Sequence, residues 1–415
     1  MMKLISYIGG VFALLLTSCS LNDDNDYKGQ INILPAFNMQ TELKVSQLGK
    51  SIRYVPLETT NSSLIDDIHE IRLQEKCIMI TSHGNCFLYD RQTGKYLGKI
   101  GNMGQGPREY SDVMNFVHFK TGDVYFNRTP DKMIAFKQNG DFFKELKLPF
   151  EWSSSCFLVF DKSDVIAHEA MVLNRIYRFK HNGEIVDSIQ LLHSRPIDTS
   201  NMKMPTMLKG SIASEVIGLG LFAYNGALII PYKDGERKDI IPLYYPSLYN
   251  FDGEIRFHEA YSDTVFNIKG SKLVPQWIFN TGNLHLSREK YGNIEESKER
   301  IVITYVAENN NLIFFQCAKS WFADKGVEIC NAIYRKSDGH ITMNKRDKGF
   351  KDDLSHFIPF QPIAFDGKDG IAGILSVEKI QEYLETHPNI QLDGPLASIK
   401  DLSYDANPVI VIVEN

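Results

Sequence analysis

The feature that most constrains this chain is a recurring unit of one β-prone run, a short Asx/Gly turn and a second β-prone run. Its clearest copy occupies residues 85–100, where Cys86-Phe87-Leu88-Tyr89 precedes the polar turn Asp90-Arg91-Gln92-Thr93-Gly94 and Tyr96-Leu97 opens the second run. Two such runs around a turn that ends in glycine are a hairpin signal. Further copies surround Gly140, Gly183, Gly253 and Gly339. Glycines 94, 140 and 183 stand 46 and 43 residues apart, and 253 and 339 stand 86 apart, twice the shorter spacing. A repeat of roughly 40–50 residues is one four-stranded blade of a propeller, which buries its apolar faces only against neighbouring blades.

The interval from Gly183 to Gly253 is 70 residues, and its excess falls on residues 191–218, which are polar, hold Pro196 and Pro205 and lack strand alternation. This stretch reads as an inserted loop. Between Gly253 and Gly339 another unit is carried by residues 263–270, with 274–279 as partner run. The fold class is therefore all-β: a β-propeller of four-stranded antiparallel sheets, with six blades and five or seven as the alternatives. An open ring would leave two edges that invite aggregation, so the β-forming residues 409–413 are expected to pair with residues 51–57 in a shared blade. Residues 376–384 read as a short helix, N-capped by Ser376 and apolar on one face through Val377, Ile380 and Leu384. The charge-rich residues 286–300 read as an exposed loop or a frayed helix.

Lys3 and an apolar, small-residue run over 4–16 have the layout of a secretory signal, too short to span a bilayer, which takes roughly 20 residues. The run ends in Leu16-Thr17-Ser18-Cys19, the pattern at which bacterial lipoprotein precursors are diacylated on the thiol and cleaved. Residues 1–18 are thus expected to be removed, Cys19 to carry lipid, and the acidic residues 19–30 to act as a flexible tether to one domain over 31–415. The tether resembles the signal that sends lipoproteins of some anaerobic Gram-negative bacteria to the outer face of the outer membrane; a plain linker on the periplasmic face is the alternative. Apart from this lipid no membrane contact is expected. A net charge of −6 with both signs interspersed argues against nucleic acid.

Beyond Cys19 the chain has Cys77, Cys86, Cys156, Cys317 and Cys330, with no Cys-x-x-Cys and no histidine at zinc spacing, so neither a metal nor a cofactor is expected. Hairpin register places Cys77 opposite Asp90, too far from Cys86 to bridge it. A hairpin turning at Ala323-Asp324 places Cys317 directly opposite Cys330, as a disulfide or as two buried thiols.

The segments Tyr54-Val55-Pro56-Leu57-Glu58-Thr59, Ile100-Gly101-Asn102-Met103-Gly104-Gln105-Gly106-Pro107-Arg108-Glu109-Tyr110 and Asn407-Pro408-Val409-Ile410-Val411-Ile412 resemble those of six-bladed β-propeller lipoproteins of Gram-negative gut-type bacteria, relatives of the NHL-repeat propellers. The resemblance implies a fold and a location, not a ligand. Arg108 stands where that family usually has glycine.

A loop from the outer strand of one blade to the inner strand of the next lies on the face that usually binds ligands. Gly104, Gly106, Pro107, Arg108, Glu109 and Tyr110 form such a loop; the alternative is a structural connector whose Glu109 accepts from neighbouring backbone N–H groups. His118 and His168, in apolar strand-like surroundings near the starts of two blades, are candidates for the channel, although a lone strand histidine is more often structural. Trp152, Trp277 and Trp321 could stack on a sugar or simply pack the blades. No catalytic fingerprint is present. The expected function is a binding or interaction module of the cell envelope for a glycan, peptide or envelope protein; a hydrolase or lyase centred in the channel is the alternative.

Overall fold

In a computed structural model of the protein, residues 29–415 are described except 67, 114, 119, 152–155, 162, 170–174, 192–199, 210–225, 234, 236–237, 244–246, 260, 288–289, 291–293 and 322–325. The expected signal peptide, Cys19 and Trp152 lie outside the described residues. The chain opens with β1 (Gln30–Asn32), a helical turn Leu34–Asn38 and β2 (Ser51–Pro56). Three blades follow in order: β3 (Ile68–Leu73), β4 (Cys77–Ser82), β5 (Asn85–Asp90) and β6 (Tyr96–Lys99); β7 (Asn115–Val117), β8 (Val124–Arg128), β9 (Lys132–Phe136) and β10 (Phe142–Lys147); β11 (Cys156–Asp161), β12 (Asp164–Glu169), β13 (Arg175–Lys180) and β14 (Ile185–Gln190). A three-stranded sheet comes next, β15 (Thr206–Lys209), β16 (Gly226–Pro231) and β17 (Lys238–Leu243).

The fourth blade is β18 (Ser247–Phe251), β19 (Glu254–His258), β20 (Thr264–Lys269) and β21 (Lys272–Asn280), and the fifth is β22 (Ile301–Glu308), β23 (Leu312–Lys319), β24 (Glu328–Arg335) and β25 (Ile341–Lys345). The sixth joins the chain ends: β26 (Ala364–Phe365), β27 (Ile371–Leu375) and β28 (Val409–Glu414) pair with β2. The inner strands β26, β3, β7, β11, β18 and β22 follow one another around a central channel, and β11 adjoins β18 directly. The sheet β15–β17 therefore stands outside a ring of six blades. Part of the stretch expected as an inserted loop, Thr206–Lys209, is a strand of that sheet, which its weak alternation hides. Likewise, Ile294–Ser297 forms a single helical turn within residues 286–300.

Why glycine recurs is visible at Gly94. Asp90 Oδ1 accepts from the backbone N–H groups of Gln92 and Thr93 and from the Thr93 hydroxyl, and the turn closes with Gly94 at φ +72°. A Cβ there would also stand 2.0 Å from the Pro56 carbonyl oxygen, so the position admits only glycine. Gly140, Gly183 and Gly339 occupy the same third-to-fourth-strand turn in their blades, all at positive φ. Gly253 does not. It joins the first and second strands of blade four, and Gly270 holds the equivalent turn of that same blade. Two sequence units thus belong to one blade, and the sixth blade is the one closed by the termini; the spacing of 86 residues between Gly253 and Gly339 links turns of different kinds.

Blades bury residues on both faces, so their strands read as continuous apolar runs. In β8, Phe126 packs toward Met79, Cys86 and Leu88 of blade one, while Tyr125 beside it packs toward Leu158, Phe160 and Val165 of blade three. The expected closure is present: β2 pairs antiparallel with β28 from Ser51↔Glu414 to Pro56↔Val409, and Val409–Val413 are nearly inaccessible to solvent. The helix Val377–Thr386 packs beneath this blade, with Ser376 Oγ accepting from the Lys379 N–H as its N-cap.

The N-terminal segment forms a belt. β1 adds in parallel to β21, the Thr41 N–H donates to the Met343 carbonyl of β25, and Lys44 bridges Lys351 before the chain reaches β2. The outer edges of blades four and five are thereby covered by the protein's own chain before it becomes the outer strand of blade six.

Hairpin register sorts the cysteines as expected. Cys77 lies opposite Asp90 and Cys86 opposite Thr81, while Cys317 lies directly opposite Cys330. All four are buried free thiols. A hydrogen bond with Cys330, and then burial, push the Cys317 thiol well above its ordinary range; burial pushes Cys77 up to about 11. All four lie out of reach of solvent, so these side chains should resist alkylation in the native protein and react fully in denaturant, as peptide mass spectrometry would read. Deletion of residues 407–415 should abolish cooperative folding, and Ile410→Ala should cost about 2–5 kcal/mol in urea unfolding; a truncated protein that melts like its parent would contradict the closure.

Candidate functional site: the central channel

A cavity of about 820 Å³ occupies the channel at the C-terminal ends of the inner strands. Each inner strand supplies part of the wall: Arg72, Val117, Val159, Asn250, Glu308 and Phe365, in the order of blades one to six. The volume lies within the roughly 300–1,000 Å³ of small-molecule sites.

The charges of the wall are paired by construction. Glu70, buried in β3, takes Arg72 Nη2 at 2.6 Å and Asn115 Nδ2 at 3.1 Å from the next blade. Burial pushes its carboxyl upward, and the neighbouring Arg72 opposes that push. Arg72 also donates to the Asn115 carbonyl at 2.7 Å, which ties blade one to blade two.

Across the channel Glu308, whose side chain is 1% exposed, is surrounded by donors from two blades. Arg256 Nε (3.2 Å) and the Tyr249 hydroxyl (3.4 Å) reach one oxygen; Lys336 Nζ (2.7 Å) and Trp277 Nε1 (3.2 Å) reach the other. Arg256 in turn meets Glu254 at 2.8 Å, and Lys336 lies 4.2 Å above the Phe251 ring. Burial lowers the Lys336 ammonium's affinity for its proton, opposed by the hydrogen bond to Glu308. Burial, reinforced by the Glu308 charge, holds the Tyr249 hydroxyl well above its ordinary range.

At the channel mouth Arg91 joins blade one to blade six, meeting Asp366 at 3.0 Å and Glu414 at 2.6 Å while donating to the Gln74 carbonyl at 2.7 Å. A Cβ on Gly370 would stand 2.3 Å from the Arg91 guanidinium, so glycine there makes room for the bridge.

The loop singled out in the sequence stands elsewhere. Residues 100–110 lead into the N-terminal end of β7, opposite the end where the cavity lies, and none of them lines it. Glu109 accepts from the Gly106 N–H at 2.7 Å, as expected of a connector. A Cβ on Gly104 or Gly106 would stand 2.1 Å or 3.0 Å from the Glu109 carboxylate, so a side chain there would displace that carboxylate from its hydrogen bond; only Gly101 of the three loop glycines has positive φ. Pro107 lies between Gly106 and Glu109 in the turn. Arg108 covers the Phe142 ring at 5.1 Å, and Tyr110 is buried, its hydroxyl donating to Gly84 at 3.1 Å. The carbonyls of Gly106 and Glu109 both accept from Arg128 Nη1.

The two histidines do not occupy equivalent positions. His118 follows β7, its Nδ1 accepting from the Lys120 and Thr121 N–H groups at 3.3 and 3.4 Å and its ring packed on Phe160; burial lowers its pKa. His168 lies on β12, a second strand, buried edge-to-face on Phe257 of blade four. Neither lines the cavity. Trp277 serves Glu308, and Trp321 is buried beside Tyr261. Among the described residues no group of three or more His, Cys, Asp or Glu side chains is placed to hold a metal ion.

Six four-stranded blades around one channel, with a small extra sheet inserted, make this a six-bladed β-propeller. The chain belongs to the family described as a domain of unknown function, DUF4934, whose pattern matches residues 28–414. A comparison with curated proteins finds no match. Among solved structures it is similar to an exported-type protein of Bacteroides fragilis NCTC 9343, at 14% identity over 90% of this chain and 97% of that one, TM-score 0.55. It also matches the WD40 repeats of RRP9, at 10% identity over 90% and 99% of the two chains, TM-score 0.38. The first of these likenesses shows the fold.

Removing Glu308 would leave Lys336 without its acid partner, Arg256 with Glu254 alone, and the Tyr249 hydroxyl and Trp277 N–H without their acceptor. Glu308→Ala should therefore destabilise the protein by about 3–5 kcal/mol in urea unfolding. Lys336→Met, which leaves Arg256 facing the carboxylate, should cost clearly less; equal losses would mean that the cluster is not held by the carboxylate.

Proposed function

We propose that this protein is a binding module of the bacterial cell envelope, anchored by lipid on Cys19, that takes its ligand into the propeller channel. The observation that carries the reading is the cavity itself, built from all six blades and walled by the buried carboxylates Glu70, Glu308 and Asp366, each already engaged by a cation. A hydrolase or lyase needs a general acid or base ready to exchange a proton with substrate. Here Glu70, Glu308 and Asp366 are held by Arg72, Arg256 with Lys336, and Arg91, an arrangement suited to recognition.

Export is supported by the signal-like run over residues 4–16 and the Leu16-Thr17-Ser18-Cys19 motif, and the fold is shared with the Bacteroides fragilis protein whose description is of an exported protein. The resemblance to lipoprotein propellers and the acidic residues after Cys19 favour the outer membrane, facing outward. Among the described residues no helix is long and apolar enough to cross a membrane.

Two measurements test the reading. The parent should partition with membranes and incorporate a palmitate analogue, whereas Cys19→Ala should be released in soluble form or accumulate as precursor; normal processing and retention of the variant would remove the lipid assignment. Any ligand found on a glycan and peptide array should be recovered chemically unchanged after prolonged incubation, and its cleavage would favour the enzyme.

A further inference from the structure

The polar groups of the channel wall have a chemical signature of their own. Glu70 is matched by Arg72, Glu308 by Arg256 and Lys336, Asp366 by Arg91, Glu414 by Arg91 and Arg53, and Glu75 at the rim by Lys368. Lys76, Lys120 and Asp369 add solvent-facing charges at the rim; below it, a ligand that carried a full charge of either sign would meet groups whose charges are already engaged, and would be desolvated with little return. What the wall still offers are groups that donate and accept side by side. Asn250 uses its amide N–H on the Phe160 carbonyl at 3.3 Å, which leaves its Oδ1; Gln74 and Gln138 line the cavity with amides; and the Arg72 side chain is 27% exposed beside Glu70. Tyr305 and Phe365 add ring surface at the same level, their centroids 6.4 Å apart.

A hydroxyl is the one common neutral group that donates and accepts through a single atom, so closely spaced donors and acceptors suit vicinal hydroxyls, and the rings suit the apolar face of a pyranose. We infer that the channel takes an uncharged, hydroxyl-rich ligand, a short neutral oligosaccharide, held by Arg72, Gln74, Gln138 and Asn250 and stacked near Tyr305 and Phe365. The inference rests on reading the channel as the binding site.

The test is isothermal titration of the purified full chain with neutral di- and trisaccharides of glucose, galactose, mannose and xylose. The same is done with digalacturonate and with a library of short peptides, at about 50 and 500 mM salt. At least one neutral sugar should bind, with affinity unchanged by salt and about tenfold weaker in Asn250→Ala, a loss of the size expected for a hydrogen bond. Gln138→Ala, in a partly exposed turn, is the second variant should Asn250→Ala fail to keep the parent's melting temperature. Salt-sensitive binding of digalacturonate, or binding of a peptide, that either variant weakens would overturn the ligand class while leaving the channel as a binding site. Sugar binding that neither folded variant weakens would place the ligand elsewhere. No binding by any member of the three sets would overturn the channel reading as well.

Discussion

The ladder between β2 and β28 is the constraint on which the rest of the molecule depends. Blades of a propeller bury their apolar faces only against each other, so each interface requires that the circle be complete. One strand from the beginning of the chain and three from its end make up the sixth blade, with Val409–Val413 buried at its centre. Arg91 reinforces the same seam from blade one by holding Asp366 and Glu414, and Arg53 reaches Glu414 at 3.5 Å. The residues that line the cavity are thus brought together by a contact whose two partners are separated by almost the entire domain.

Local features of this architecture were legible in the residues. Gly94, Gly140, Gly183 and Gly339 marked equivalent turns because positive φ at a tight turn is a local demand that glycine alone meets without strain. The pairing of residues 51–57 with 409–413 followed from an apolar run with no other use, and the register of Cys317 against Cys330 from the symmetry of an antiparallel hairpin. Gly253 was harder. Hairpins between first and second strands look like those between third and fourth, and spacing alone does not distinguish them. The inserted sheet was hidden because its strand Thr206–Lys209 pairs with Gly226–Pro231 across a long separation.

The channel wall was much less legible. Glu308 gathers Tyr249, Arg256, Trp277 and Lys336 from four different strands or turns, up to 59 residues away, and no motif records such a convergence. His118 and His168 attracted notice as chemistry-bearing residues in apolar runs, yet both are packed on phenylalanine rings. The glycine-rich loop over residues 101–110 was recognisable from its composition, which accompanies the positive φ of Gly101 and the Glu109 carboxylate lying over Gly104 and Gly106, at the end of the channel away from the cavity.

The belt formed by residues 29–56 also has a mechanical side. A pull on the N-terminal end of the domain is met first by β1, whose three residues run parallel to β21, and only after Thr41 and Lys44 by β2 in the closing blade. Ile31, Ile33 and Phe37 of this segment are buried with Phe279, Val306 and Phe315 in the core shared by blades four and five, so β1 is seated in that interface as well as on the sheet edge. About twenty further residues separate β1 from the strand that holds the ring shut, so a load on this end of the domain would fall on the interface of blades four and five before it reached the closing ladder.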